Sequence, residues 1–175
     1  RTGGRYRAES DGSAGSDALD FSVADTSFNM YGPQSTVAAQ QIAVRDLIAV
    51  YNLGIAGTNA FVQDNTSIVT ATPVWNATSQ ETAITIAAKQ YPLASASNRF
   101  HVIPGSEPVV VYVCANVGVS AAGTGLGTLY RLVKTLPYPQ TAACPAVPAG
   151  TPILATHVSA CSFTRARPIC TMTLR

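Results

Sequence analysis

Short apolar stretches alternate with turn residues along most of this chain. The stretches are rich in Val, Ile, Thr, Tyr and Phe, which suit a pleated sheet. Gly and Pro separate them, because these residues adopt unusual or fixed backbone angles. The pattern predicts strands at Ser27–Tyr31, Leu47–Asn52, Ser67–Thr70, Thr82–Ala87, Arg99–Ile103, Val109–Cys114, Thr128–Val133, Ile153–Ala155, Val158–Thr164 and Ile169–Leu174.

Alternation within two stretches predicts which side chains are buried. Thr82, Ile84 and Ile86 share one face of a strand, because successive side chains point to opposite faces. The segment Arg99–Val102 alternates polar and apolar residues, which is typical of a half-buried strand. Val109–Cys114 is apolar throughout, and we expect it to be a central strand.

The remaining segments predict loops. Residues 1–18 are rich in Gly, Ser and charge and favour a flexible or frayed end. Only Ser35–Gln41 is a possible short helix, and Gly118–Gly127 indicates a flexible hairpin tip. Pro137–Pro152 contains five prolines and predicts a surface loop fixed by Cys144. The expected fold is therefore mainly β: an antiparallel sheet with inserted β regions, long Pro/Gly-rich loops and little helix, in one domain over 1–175.

Charge is sparse and unevenly distributed. Only 11 % of residues are charged, against about 25 % in ordinary soluble domains, which suits a secreted protein or one packed against neighbours. Up to Glu107, nine acids and six Lys/Arg give −3, whereas the five basic residues after it give +5. Such asymmetry indicates that one face meets an anionic partner, or the acidic side of a neighbouring subunit.

Four basic residues form the candidate anion-binding set. Arg165 and Arg167 lie in an expected hairpin turn, and Arg131 and Lys134 lie in an expected strand. Arginines on an exposed turn can contact phosphates. A solubilising turn, or an interface with another subunit, explains the same residues.

The cysteines predict disulfides rather than a metal site. Cys114, Cys144, Cys161 and Cys170 include no C-x-x-C pair, and the chain has only two histidines, so the ligand pattern of a zinc site is missing. An even number of cysteines in a strand-rich chain favours two disulfides and an oxidising compartment. The sequence contains no apolar run of about 18 residues that could span a membrane. It begins with Arg1, and we expect it to start inside a longer precursor.

Catalytic residues are not evident, and we expect neither an enzyme nor a cofactor. Asp20 and Asp25 form the best carboxylate pair, but Asp25 is better explained as a turn-capping residue. His157 and Ser159 would share a strand face without the geometry of a catalytic nucleophile. His101 lies on the polar face of its strand.

Seven short segments together resemble one family. They are Gly4-Arg5-Tyr6-Arg7, Leu19-Asp20-Phe21, Ala24-Asp25-Thr26-Ser27-Phe28, Val50-Tyr51-Asn52-Leu53-Gly54, Pro92-Leu93-Ala94-Ser95 with Asn98-Arg99-Phe100, Val111-Tyr112-Val113-Cys114 and Val158-Ser159-Ala160-Cys161-Ser162-Phe163. In order and spacing they resemble the O-type minor pilins of the mannose-sensitive haemagglutinin (MSHA) type IV pilus, over residues 4–175.

The resemblance implies a structural subunit that takes part in pilus assembly or tip formation and in adhesion. Such proteins reach the pilus filament or tip from the periplasm and inner membrane. An N-terminal hydrophobic helix, which is not among these residues, anchors them in the membrane and then packs against other pilin subunits. Val109–Val113 or Leu47–Val50 would form the apolar surface for that helix.

The resemblance also bears on the disulfides. It implies that Cys114 pairs with Cys161, which would leave Cys144 to pair with Cys170. The local alternative joins Cys114 to Cys144 and Cys161 to Cys170.

Two other functions fit the same sequence. A tip module could bind a host or surface glycan, or DNA, through the four basic residues. An unrelated β-sandwich, from a capsid or a secreted carbohydrate-binding domain, explains the composition but not the ordered segments.

Overall fold

A computed structural model describes residues 1–139 and 144–163, and it confirms a mainly β fold. Every strand pair is antiparallel. The longest helical segments among the described residues are single 3₁₀ turns at Ala38–Gln40 and Ala60–Val62. The strands are β1 Gly4–Arg5, β2 Asp25–Tyr31, β3 Leu47–Val50, β4 Thr66–Ile68, β5 Val74–Asn76, β6 Glu81–Lys89, β7 Arg99–Ile103, β8 Val109–Ala115, β9 Gly127–Lys134 and β10 Ile153–Val158.

The chain divides into two compact units, Arg1–Pro108 and Val109–Arg175. Unit 1 contains a four-stranded sheet in the order β1-β7-β3-β4 and a three-stranded sheet in the order β2-β6-β5. Unit 2 contains a three-stranded sheet in the order β10-β9-β8. That 1–175 forms a single domain stays a prediction.

Both sheets of unit 1 contribute to one hydrophobic core. Single bridges from Tyr6 to Met30 and from Val69 to Ile86 link the sheets at two points. Phe28 and Phe100 are fully buried and pack edge-to-face, with ring centroids 5.5 Å apart, an arrangement that aromatic quadrupoles favour. The core comprises Tyr6, Leu19, Phe28, Met30, Ile42, Ile48, Val50, Val69, Ile84, Ile86, Tyr91, Phe100 and Val102.

The predicted alternation is confirmed in β6 and β7. Thr82, Ile84 and Ile86 are buried, and the residues between them are exposed. Arg99 and His101 are exposed on either side of buried Phe100. These patterns depend only on the period-two geometry of a strand, which is why they can be predicted without tertiary information.

The predicted central position of Val109–Cys114 is not found among the described strands. There β8 lies at the edge of its sheet, and β9 is the central strand. In unit 1, β3 lies between β7 and β4, and all four of its residues are buried. A continuous apolar run therefore marks a central strand in β3 but not in β8.

The prediction of a frayed end for 1–18 is wrong in its middle part. Gly4–Arg5 pairs with β7, and Tyr6 is fully buried. The Arg7 guanidinium binds one carboxylate oxygen of buried Glu81, with Nε at 2.9 Å and Nη2 at 2.8 Å. The segment contains few apolar residues. Its attachment therefore combines this ion pair, that of Arg1 with buried Asp46, backbone hydrogen bonds and one buried aromatic side chain.

The buried Glu81 carboxylate has a second partner. Asn29 Nδ2 donates to its other oxygen at 2.8 Å and to the Gly15 carbonyl at 2.6 Å. An unpaired buried charge is very costly. Arg7 and Asn29 thus satisfy Glu81 while joining the N-terminal segment, β2 and β6.

Other expectations are met in part. The possible helix at Ser35–Gln41 is a single 3₁₀ turn, and β5 was not predicted. Residues 116–126 join β8 to β9 as the expected hairpin. The predicted strand Val158–Thr164 is wrong in its described part, because β10 ends at Val158 and 159–163 are not a strand. The predicted strand Ile169–Leu174 lies outside the described residues.

Removing a core aromatic ring should strongly destabilise unit 1. Phe28→Ala should lower the free energy of unfolding by about 3–5 kcal/mol, because it leaves a cavity against Phe100. Val37 is 53 % exposed, so Val37→Ala is the control and should change stability by less than about 0.5 kcal/mol. Urea denaturation measures both, and equal effects would contradict the assigned core.

Stability should fall at alkaline pH because of Tyr91. Burial raises the pKa of Tyr91, whose hydroxyl donates to the Ile48 carbonyl at 3.2 Å. Above the ordinary value of about 10, the unfolded chain releases this proton and the folded chain keeps it, so folding stability decreases by about 1.4 kcal/mol per pH unit.

Burial also raises the pKa of Tyr6, which adds to the same slope. Tyr91→Phe should therefore reduce the slope without abolishing it. Denaturation between pH 9 and about pH 12 measures this, and an unchanged slope in Tyr91→Phe would exclude Tyr91 as a cause.

Candidate functional site

The four predicted anion-binding residues do not form one described surface. Arg131 and Lys134 lie three positions apart in β9, whose pairing with β8 is regular. Side chains alternate along a strand, so these two residues lie on opposite faces. Arg165 and Arg167 lie outside the described residues, and their role stays a prediction.

A disulfide joins Cys114 of β8 to Cys161, which follows β10. The Cα atoms are 6.5 Å apart, and the bond closes a loop between residues 47 positions apart. This is the pairing that the pilin resemblance implies, and the local alternative is wrong for these two cysteines. Pairing of Cys144 with Cys170 stays a prediction, since Cys170 lies outside the described residues.

Apolar side chains remain exposed on the sheet of unit 2. Val110 lies directly opposite Val133, and Tyr112 shares their face because it is two positions from Val110. Tyr112 is 45 % exposed and Val133 is 43 % exposed. Ile153 and Leu154 of the edge strand β10 are also exposed. We call Val110, Tyr112 and Val133 the apolar row.

The candidate catalytic residues have structural contacts instead. Asp25 accepts hydrogen bonds from the backbone N–H groups of Asp20, at 2.8 Å, and Thr26, at 2.7 Å. Hydrogen bonds from Ser22 lower the pKa of Asp20, so this carboxyl group is a poor proton donor near neutral pH. The carboxylates of Asp20 and Asp25 thus stabilise a local turn.

The two histidines lie in strands, His101 in β7 and His157 in β10. His157 Nδ1 lies 3.2 Å from the Thr156 hydroxyl, and Ser159 follows the end of β10. His101 is exposed on β7. Across residues 1–139 and 144–163, no three His, Cys, Asp or Glu residues cluster as metal ligands. No helix in that part of the chain is long and apolar enough to cross a bilayer.

A basic row in unit 1 was not predicted from the sequence. Arg5 of β1 lies directly opposite Arg99 of β7, and both are exposed. On the other side, the Arg5 guanidinium lies 5.8 Å from the ring centre of Tyr31, which is 45 % exposed. We call Tyr31, Arg5 and Arg99 the basic row.

A cavity of about 90 Å³ adjoins this row at Tyr31. One water needs roughly 10–15 Å³ of such space, so the cavity holds several waters or one small polar group. A Cβ atom at Gly4 would collide with the Met30 side chain, so glycine permits the close packing there. The lining includes Thr2, Gly4, Tyr31, Gln34, Ser35 and Gln40.

The sequence contained one usable signal for the basic row. Arg5 and Arg7 alternate with Tyr6, which is the period-two pattern of a strand. The surrounding Gly, Ser and charged residues favoured a frayed end instead. The proximity of Arg5 to Arg99 could not be predicted, because it depends on pairing between residues that are distant in sequence.

Removing the Cys114–Cys161 disulfide should destabilise unit 2. The double variant Cys114→Ala/Cys161→Ala should lose about 2–4 kcal/mol, because the unfolded chain regains the freedom of the closed loop. Denaturation followed by a probe in unit 2, such as the NMR signals of Tyr112 or Tyr130, measures the loss. A variant as stable as the parent would contradict a structural role for this bond.

Comparisons with known proteins do not assign a family. No protein-family model matches this chain, and no curated protein or solved structure matches it significantly. Function must therefore be inferred from the residues and from the surfaces described above.

Proposed function

We propose that this chain is the extracellular head of a type IV minor pilin, a structural subunit involved in pilus assembly, tip formation and adhesion. The observation that carries the proposal is the ordered set of seven segments that resemble the MSHA O-type minor pilins along nearly the whole chain. Its mature location would be the pilus filament or tip, after passage through the periplasm and inner membrane.

Two structural features support the proposal. The segments that contain Cys114 and Cys161 are joined by a disulfide, which is stable in an oxidising compartment. The apolar row on unit 2 offers a surface to the amphipathic part of an N-terminal helix. Of the predicted segment Val109–Val113, this row includes Val110 and Tyr112, whereas Val109 and Val113 are buried. The alternative surface at Leu47–Val50 is wrong, because all four of its residues are already buried.

Partner binding through a helix has a clear physical basis. An amphipathic helix buries its apolar stripe against another element. Exposed Tyr112 and Val133 and half-buried Val110 form an apolar strip of a sheet, and Arg131 lies opposite Tyr112 on the same face. Each apolar side chain that becomes buried contributes roughly 1.5–3 kcal/mol. Other pilin subunits would then be contacted through the part of the helix that extends beyond the head.

The binding-module alternative is a separate proposal. Two of the four residues predicted for it, Arg131 and Lys134, lie on opposite faces of β9 and share no surface. Binding of DNA or glycan at Arg165 and Arg167 stays a prediction.

The location of the protein in its native organism tests the pilin proposal. Filaments sheared from the cell surface should contain the protein, detected with an antibody raised against the purified chain. Deletion of its gene should reduce the number of surface filaments, and a wild-type copy should restore it. A protein absent from filaments, together with unchanged piliation in the deletion strain, would exclude the proposal.

A matched pair of complementing variants refines this test. Val133→Asp places a charge on the apolar row, and we expect it to reduce filament number, because an unpaired charge is costly to bury. Thr128→Asp alters the same strand away from that row and should complement normally. Both purified variants should keep their melting temperatures, which separates loss of assembly from loss of folding.

A further inference from the structure

The basic row has positive charge without a carboxylate partner. Arg1 forms an ion pair with buried Asp46 at 2.6 Å, and Arg7 forms one with Glu81 at 2.8 Å. Within the described part of the chain, neither Arg5 nor Arg99 lies within ion-pair distance of a carboxylate. The two arginines are nevertheless direct partners in the register of β1 and β7, and the Arg5 guanidinium lies beside Tyr31.

This arrangement is unfavourable for the protein alone. Like charges directly opposite in an antiparallel pair are destabilising. An anion between Arg5 and Arg99 would be attracted to both arginines and would offset the repulsion between them. Guanidinium groups suit such an anion, because their planar donors match the oxygens of carboxylate or phosphate.

The adjoining cavity supplies further hydrogen-bond donors. The Gln34 side-chain oxygen accepts the Ile42 N–H at 2.8 Å, and the Gln40 side-chain oxygen accepts the Ser35 hydroxyl at 2.9 Å. Both amide oxygens are thus engaged, whereas both NH₂ groups have no partner among the described residues. These two NH₂ groups are donors, which suit a ligand with acceptor oxygens.

Tyr31 connects the basic row to the cavity. Its ring lines the cavity and is 45 % exposed, with the Arg5 and Arg7 guanidinium groups 5.8 Å and 5.5 Å from its centre. A phenol ring offers an apolar face and a polar tip to a ligand. The site therefore combines an anion position, a hydroxyl-binding pocket and an apolar contact within one short stretch of surface.

We propose that the basic row and this cavity bind an acidic saccharide. Its carboxylate lies between Arg5 and Arg99, its hydroxyl groups accept hydrogen bonds from Gln34 and Gln40, and a C–H face of the sugar ring contacts Tyr31. This site differs from the four basic residues considered above, and it does not depend on the pilin proposal.

The charge around the site favours a short saccharide over a nucleic acid. Residues up to Glu107 have a net charge of −3, which repels a long polyanion, and Asp11 already lies 3.4 Å from the Arg7 guanidinium. Nucleic-acid binding without sequence preference requires a continuous basic groove with several stacking rings. The basic row has two arginines and one ring.

Titration with a defined uronic acid oligomer tests the proposal. Trigalacturonic acid is titrated into the purified 175-residue protein and followed by NMR chemical shifts, with its methyl ester as the uncharged counterpart. We expect saturable binding of the acid with shifts at Arg5, Tyr31 and Arg99. The ester should bind at least about tenfold more weakly, because it lacks the charge-assisted hydrogen bonds.

Variants separate a specific site from general charge attraction. Arg5→Ala and Arg99→Ala should each weaken binding of the acid about tenfold or more, and Tyr31→Ala should weaken it as well. Lys134→Ala removes one positive charge from unit 2 and should leave binding unchanged. Arg99→Ala should not lower the melting temperature, because it relieves repulsion.

Several results would overturn the proposal. These are no binding of the acid up to millimolar concentration, equal binding of the ester, or equal weakening by Lys134→Ala. Inorganic phosphate and a short oligothymidylate are the remaining probes. Binding of phosphate alone would indicate a simple anion site, and tighter binding of the oligothymidylate would indicate a nucleic-acid site. Either result would overturn the assignment of the ligand as an acidic saccharide.

Discussion

The buried carboxylate of Glu81 determines how the first part of the chain is attached. It lies in β6 at 2 % exposure, and a buried charge of this kind must be neutralised where it is. Arg7 provides the counter-charge, and Asn29 of β2 provides a neutral donor. The Glu81 side chain therefore links the N-terminal segment and β2 to β6. Once Arg7 is held there and Tyr6 is buried, β1 is positioned beside β7, and Arg5 is brought opposite Arg99. The basic row is thus a consequence of a polar interaction in the core.

The sequence predicted features that depend on local geometry. Alternation in β6 and β7 follows from the two-residue period of a strand, and it correctly separated Ile84 and Phe100 from their exposed neighbours. The N-terminal segment was misinterpreted, because its attachment depends on Glu81, which lies 74 positions from Arg7. A low content of apolar residues indicates disorder only when no distant partner supplies the missing interactions.

Strand order could not be predicted by the same means. Leu47–Val50 and Val109–Cys114 are both apolar, yet among the strands that the structure describes the first is central and the second is at an edge. Apolar content records how much surface a strand could bury, whereas its position depends on which strands pair with it. Part of β8 is exposed, although the strand has the composition of a buried one. These exposed apolar side chains are the physical reason to expect a partner on unit 2.

The two proposed surfaces differ in what they require of their partners. The apolar row of unit 2 requires an element with a complementary apolar stripe. Binding there is favoured because apolar surface is removed from water. The basic row of unit 1 requires an anion, and its binding energy comes from charge that the fold leaves uncompensated. A ligand that binds only the folded state stabilises that state, so an anion between Arg5 and Arg99 would also hold β1 against β7. Ligand binding and attachment of the N-terminal segment are therefore coupled, because both act on the same short strand.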